Sequence, residues 1–285
     1  MAGRAGRTSR GGSRAGDFAA YAVLLVFCAI AVYPVLQVFG IALRPADRLY
    51  STSLAIIPPD ATLHSFRVIL FEKPFLLWLR NSVLLAAAVT LVSIALAATA
   101  GYAFSRYRFR GRETGLQAFL MTQMFPATML LLPLYVLFKR VHLLDSMLGL
   151  GVAYVATAMP FCVWTMKGYY ETLPKDLEEA ALIDGMGPWG AFVRVVLPLA
   201  APALAITALF SFMASWSEFM VARVILTRPQ LFTLPLGLES LAGTFQTEWA
   251  NYAAGSLLVC LPVVVLFISL NRFLISGLTL GGVKG

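Results

Sequence analysis

The stretch from Phe18 to Leu43 carries no charged side chain, and five comparable apolar runs follow it. About 20 helical residues cross the ~30 Å hydrocarbon core of a bilayer. No water reaches backbone N–H and C=O groups there, so each crossing has to satisfy its own hydrogen bonds. The runs therefore predict an all-α integral membrane protein of six transmembrane helices. We place the spans at residues 18–43, 77–104, 116–138, 148–170, 201–222 and 254–276.

Composition supports the same solvent. Hydrophobic residues make up 59% of the chain and charged residues 13%, against roughly 25% charged in a soluble domain. The formal charge of +8 does not gather into one basic face with interleaved aromatics, which argues against nucleic acid. Cys28, Cys162 and Cys260 lie in apolar segments without metal-type spacing and read as packed free thiols. His64 and His142 sit alone on separate loops, so no metal site is expected.

Arginines set the orientation. Arg4, Arg7, Arg10 and Arg14 stud a tail over residues 1–17, and Arg106, Arg108, Arg110 and Arg112 crowd the short connection 105–115. Positive residues in short loops favour the cytoplasmic side. Both termini, the 105–115 loop, the 171–200 loop and the 277–285 tail are then cytoplasmic; the loops 44–76, 139–147 and 223–253 are external. Arg44, Arg48, Arg67 and Lys73 in the first external loop make this a bias of density rather than of totals. The tail has the charge of a signal peptide, but the following run is longer than such a peptide needs and lacks a clear cleavage site, so a retained first span is expected. Within 44–76, Leu63–Phe71 reads as a short surface helix.

One loop is polar amid these runs. Asp176, Glu178 and Glu179 suit the positive end of a helix dipole, and Gly185 ends that helix. Leu177, Ala180, Ala181 and Asp184 share one narrow face whose centre is only methyl groups. After Gly185–Pro188 a second helix carries Trp189, Phe192, Val193 and Val196, and stops at Leu197–Pro198. The hairpin is either a partnerless amphipathic element at the interface or a docking element.

Glu179-Ala180-Ala181, Gly185, and then Val195, Leu197 and Pro198 resemble, in order and spacing, the coupling loop of permease subunits of ABC importers. Val195 stands where that pattern more often has isoleucine. Three further blocks look like the maltose-type permease: Ala103–Phe109, Trp164–Glu171 and the ending Gly277–Gly285. The resemblance covers roughly residues 80–285 and implies the type I importer permease fold. It also implies that Glu179, Ala180, Ala181, Asp184, Gly185, Val195, Leu197 and Pro198 couple to an ATPase, and that Gly281, Gly282, Val283 and Lys284 contact it through the C-terminal tail. By the same analogy Leu236, Gly237 and Leu238 touch an external sugar-binding protein. The implied partners are two ABC ATPase subunits holding ATP and Mg, a second homologous permease subunit, the binding protein and the lipid bilayer. The implied cargo is maltose, maltodextrin, trehalose or a related sugar.

Polar groups inside the spans are costly unless they pair or line a cavity. Gln123 and Met124, beside Pro126, are candidates for lining a pathway, as are Trp216 and Glu218; the competing roles are a helix–helix hydrogen bond for Gln123 and snorkelling for Glu218. The chain has no G-x-x-x-x-G-K-[ST] sequence, so it binds no ATP in that way, and no catalytic constellation is present. A permease for another solute class, a channel and a membrane scaffold are the alternatives.

Overall fold

The computed structural model describes residues 14–45, 57–242 and 247–282. Its first helix, α1 (Arg14–Ala42), is apolar on every side and exposes its large side chains. Such a helix is stable only in a non-aqueous medium. A short helix α2 (His64–Arg67) runs into a π turn over Val68–Glu72, then α3 (Phe75–Arg106) crosses the molecule. Leu63–Phe71 is thus helical as expected, but not a surface helix: Val68 and Ile69 are buried and the segment packs on the last helix.

The third apolar run is not straight. It forms α4 (Arg112–Met124) and α5 (Ala127–Arg140), bent by 104° at Phe125-Pro126. Pro126 supplies no N–H, and the residue before a proline is driven out of helical conformation. After α6 (Met147–Thr172) comes a hairpin of α7 (Asp176–Ile183), α8 (Pro188–Ala191), a π turn over Phe192–Val196 and α9 (Leu197–Leu199). The second arm therefore passes Leu197-Pro198, where a stop was expected, and ends at Ala200. The wide turn precedes Pro198 and accommodates its missing donor. The chain then bends by 76° into α10 (Ala201–Trp216).

Sixteen residues make α10 about 24 Å long, short of a full crossing. It is followed by α11 (Met220–Ile225), a 3-10 turn at Pro229–Leu231, α12 (Leu234–Glu239) and the long α13 (Trp249–Gly282). Among the described residues four helices are long and apolar enough to cross a membrane, or up to six spans if each bent pair counts as one. The α3–α6 pair is the most extensive contact; α10 lies against both, α13 covers α10, and α1 packs on α13. One buried cluster, around Phe75, Trp78, Tyr154 and Trp216, fills the end away from the α7–α9 hairpin, and a second, around Cys162, Met166, Tyr170 and Phe192, the end beside it. Cys162 is buried, whereas Cys28 and Cys260 are exposed and so are not packed thiols within this chain.

The segment 229–239 closes the end away from the hairpin. Asn81 donates to the carbonyls of Gln230 (2.9 Å) and Phe232 (3.0 Å), and Leu234 N–H donates to Ser82 Oγ (2.7 Å). Leu236, Gly237 and Leu238 are buried here and do not form the exposed apolar tip expected of a contact with a binding protein. Their apolar surface is consumed within the chain. Gly237 is required because a Cβ at that position would run into the buried Trp78 indole. Nearby, Asp145, at φ 54°, clips the α5–α6 turn to the 227–228 loop. Its carboxylate accepts from Thr227 N (3.0 Å), Arg228 N (3.1 Å) and Arg228 Nε (2.6 Å).

Two outcomes follow for this end of the molecule. Gly237→Ala is expected to cost about 1–3 kcal/mol through overpacking and to lower the melting temperature of the detergent-purified chain; an unchanged midpoint would show that Trp78 moves aside freely. Desolvation raises the Asp145 pKa, but the bonds from Thr227 and Arg228 outweigh it and hold the carboxyl below its ordinary value. A depressed pKa contributes stability above the unfolded pKa of about 3.9, lost as pH falls through the lower folded value. The melting difference between wild type and Asp145→Asn should accordingly be flat at neutral pH and shrink below about pH 4.

Candidate coupling site

The sequence predicts the hairpin between α6 and α10 from local signals, and the geometry explains each. Asp176, Glu178 and Glu179 occupy the first turn of α7. At its other end Gly185, at φ 85°, donates to the Leu182 carbonyl (3.1 Å) while Met186 donates to that of Ala181 (3.0 Å). This paired closure satisfies the last carbonyls of the helix and requires a left-handed residue at Gly185. Pro188 opens α8, where its missing N–H costs nothing.

The face that α7 buries is not the one marked out by Leu177, Ala180, Ala181 and Asp184. Only Ala181 of those four is buried; Leu177, Ala180 and Asp184 are exposed, as are Glu179 and Gly185. The inward face is centred on Glu178 and Ala181, three residues apart. Arg106 Nε, at the end of α3, donates to Glu178 Oε1 at 2.6 Å, and the Tyr102 hydroxyl donates to Oε2 at 2.8 Å. Arg106 Nη2 also donates to the Leu173 carbonyl (3.1 Å), at the joint between α6 and α7. The Arg106 and Glu178 side chains are 7% and 13% exposed, the most enclosed ion pair among the described residues.

Sequence reasoning missed this function for Glu178, Arg106 and Tyr102. Arg106 counted only toward orientation and Glu178 only toward the helix dipole. A signal existed: Glu178 and Ala181 share a helix face with each other and not with Glu179.

Beneath the second arm, Phe192 stacks among aromatics, with ring centroids 4.6 Å from Tyr102, 5.3 Å from Trp189 and 6.5 Å from Tyr170. Val196 is buried, Val195 and Leu197 are half-buried and Pro198 is exposed. Tyr169 donates to the last carbonyl of α9, Leu199 O (3.2 Å), which ties α6 to this arm. The outward surface is apolar: Ile183 is 86% exposed and Trp189 68%, with Leu177, Leu182 and Val193 around them. A rim of Glu179 and Asp184 borders it.

The residues considered for a pathway do not form one group. Gln123 Nε2 donates to the Thr157 carbonyl (3.3 Å) across to α6, the helix–helix bond that competed with pathway lining, and Met124 is exposed at the α4–α5 bend. Trp216 is buried, its indole donating to Val259 O (3.3 Å). Glu218 does not snorkel: it accepts from the Tyr154 hydroxyl (2.8 Å) and from Val221 N (2.8 Å) and Ala222 N (3.1 Å) of α11. In the tail, the backbone is helical through Gly281 and Gly282, while Val283 and Lys284 lie outside the described residues.

This arrangement has relatives. Residues 93–278 match the family described as binding-protein-dependent transport system inner membrane component. The maltose/maltodextrin transport system permease protein MalG of Escherichia coli (strain K12) is 37% identical over 94% of this chain and 96% of its own length. The maltodextrin transport system permease protein MdxG of Bacillus subtilis (strain 168) is 36% identical over 93% and 95%. Among solved structures, a chain from a bacterial ABC transporter involved in the import of the acidic polysaccharide alginate superimposes with a TM-score of 0.79 at 22% identity, covering 91% of this chain and 98% of that one. Six potential spans and this match over more than half the chain agree: the protein belongs to the binding-protein-dependent transport system inner membrane components, multi-pass ABC permease subunits that carry out transport alongside an ATPase, a partner permease and a binding protein, and are not themselves ATPases.

Proposed function

We propose that the chain is one of two different permease subunits of a sugar importer of the maltose/maltodextrin type, and that its α7–α9 hairpin docks in an ATPase subunit and passes the closure of the ATPases to the spans. The observation that carries the reading is the hairpin itself. It extends beyond the ends of α3 and α6, braced on its inner side, and exposes Ile183 and Trp189, which none of the described residues covers. An apolar face of that kind suits a protein partner. The arginines at 106–112 lie at the same end, which supports placing it, with both termini, in the cytoplasm where ATP is available.

On this reading Glu179 and Asp184 are polar contacts at the rim of the ATPase cleft, and Gly185 sets the angle between the arms. Val195, Leu197 and Pro198 carry the second arm to the bend at Ala200, and Gly281, Gly282, Val283 and Lys284 reach the ATPases from the C-terminal end. ATP and Mg are held by the ATPases. Their closure moves the hairpin, and the spans alternate between inward and outward access. Docking has to differ in free energy between the two states, because a contact equal in both shifts nothing. The extensive identity to maltose and maltodextrin permeases supports those sugars as cargo.

Reconstitution with the neighbouring transport subunits and radiolabelled maltose tests the whole reading. Uptake should require ATP and the binding protein, and unlabelled maltotriose should compete. Gly185→Asp should reduce uptake at least tenfold with membrane insertion unchanged. No atom lies within 4 Å of a Cβ built at Gly185, so the loss would come from the docking face and the positive φ rather than an internal clash. Normal uptake by Gly185→Asp would remove the hairpin from the mechanism.

A further inference from the structure

Glu178 and Glu179 are adjacent identical side chains with opposite surroundings. Glu179 faces solvent, whereas Glu178 is enclosed and bonded by two residues of α3, Tyr102 and Arg106, four apart on one helix face. The same guanidinium holds the Leu173 carbonyl, in the three-residue joint that connects α6 to α7. One arginine thus grips both the arm and the joint about which it would turn.

We propose that the Arg106–Glu178 pair is the mechanical link of the coupling hairpin: it makes α7 move as one body with α3 and α6 instead of pivoting at Leu173–Lys175. The chemistry is suited to that task. An apolar contact resists separation but permits sliding. Charge-assisted bonds from a planar guanidinium fix rotation as well as distance, and an enclosed site protects them from screening that makes exposed ion pairs weak. The second bond, from Tyr102 to the other carboxylate oxygen, prevents the carboxylate from swinging about the first. Phe192 packs on the same Tyr102 ring, so the second arm is held to this point too. Arg106 and Glu178 are positioning residues: neither faces the outward docking surface.

The proposal rests on the hairpin being the ATPase docking element, and the experiment separates the two. The complete importer, with both permeases, ATPases and binding protein, is reconstituted in proteoliposomes, and two quantities are read: ATPase co-purifying with this chain, and maltose transported per ATP hydrolysed. Glu178→Gln and Arg106→Gln are expected to retain the ATPases while the transport-to-hydrolysis ratio falls about tenfold. Arg106→Lys, which keeps the charge but not the planar fork, should fall between them and wild type. Ile183→Glu, on the docking face, should lose the ATPases instead. A normal ratio in both glutamine variants overturns the link, with docking still standing if Ile183→Glu is defective; retention of ATPases by Ile183→Glu overturns docking and the link with it. Should the glutamine variants fail to reach the membrane, Arg106→Lys and Tyr102→Phe decide, since neither leaves a bare charge: a normal ratio in both overturns the link.

Discussion

An interruption of a helix frees backbone groups that lipid cannot satisfy, and at several breaks in this chain a side chain supplies them with a partner. Where α10 stops and α11 begins, the Glu218 carboxylate takes the first N–H groups of α11. Where the 229–239 segment turns into the end away from the hairpin, Asn81 takes two of its carbonyls and Ser82 one of its N–H groups. Where α3 ends, Arg112 Nε donates to the Phe104 carbonyl at 2.6 Å; where α6 ends, Arg106 takes Leu173. A buried carbonyl or N–H left unmet costs about 1–3 kcal/mol, so each of these side chains decides whether its break is tolerated.

That dependence explains what was legible in the sequence. The apolar runs report directly on the solvent, and they mark the positions of α1, α3, α6 and α13. The bend at Pro126 is not legible from the proline alone: the sequence places one span over 116–138, and Pro34, Pro133, Pro160 and Pro262 all lie inside continuous helices. The turn at Gly185 and the opening of α8 at Pro188 are local. The break at Glu218 is different. Distance along an assumed continuous helix put Glu218 at the outer interface, where a carboxylate would snorkel; in fact the helix ends at Trp216 and the carboxylate faces Tyr154 of α6. Nothing near residue 218 in the sequence names that partner, 64 positions away.

The 223–253 loop failed for the same reason. Leu236, Gly237 and Leu238 look like an exposed apolar tip because their covering residues, Trp78 above all, belong to α3. A glycine in an apolar helix is ambiguous from the sequence alone: it marks flexibility, or a close approach by something large. The two glutamates of α7 show the limit at finer scale. Adjacent positions on a helix point about 100° apart, so one of the pair had to face inward. The motif draws the eye to Glu179, and only the contact with Tyr102 and Arg106 shows that its neighbour is the one held inside.

The two ends of the hairpin are then not equivalent. At Leu173 the joint is braced by Arg106, and α6 beyond it is locked along its length to α3. At Ala200 the chain turns by 76° into α10, a helix only 16 residues long that ends in a second break. A displacement applied at α7 on the proposed mechanism is carried into the α3–α6 pair without loss at the joint, while at Ala200 the same displacement changes an angle. On the proposed mechanism the hairpin is held at Leu173 by Arg106 of α3 and at Leu199 by Tyr169 of α6, and the 76° bend beyond the second tie lets its motion become a relative motion of α10 against α3 and α6. Alternating access needs such relative motion: a rigid body connected equally at both ends would shift as a whole and open neither side.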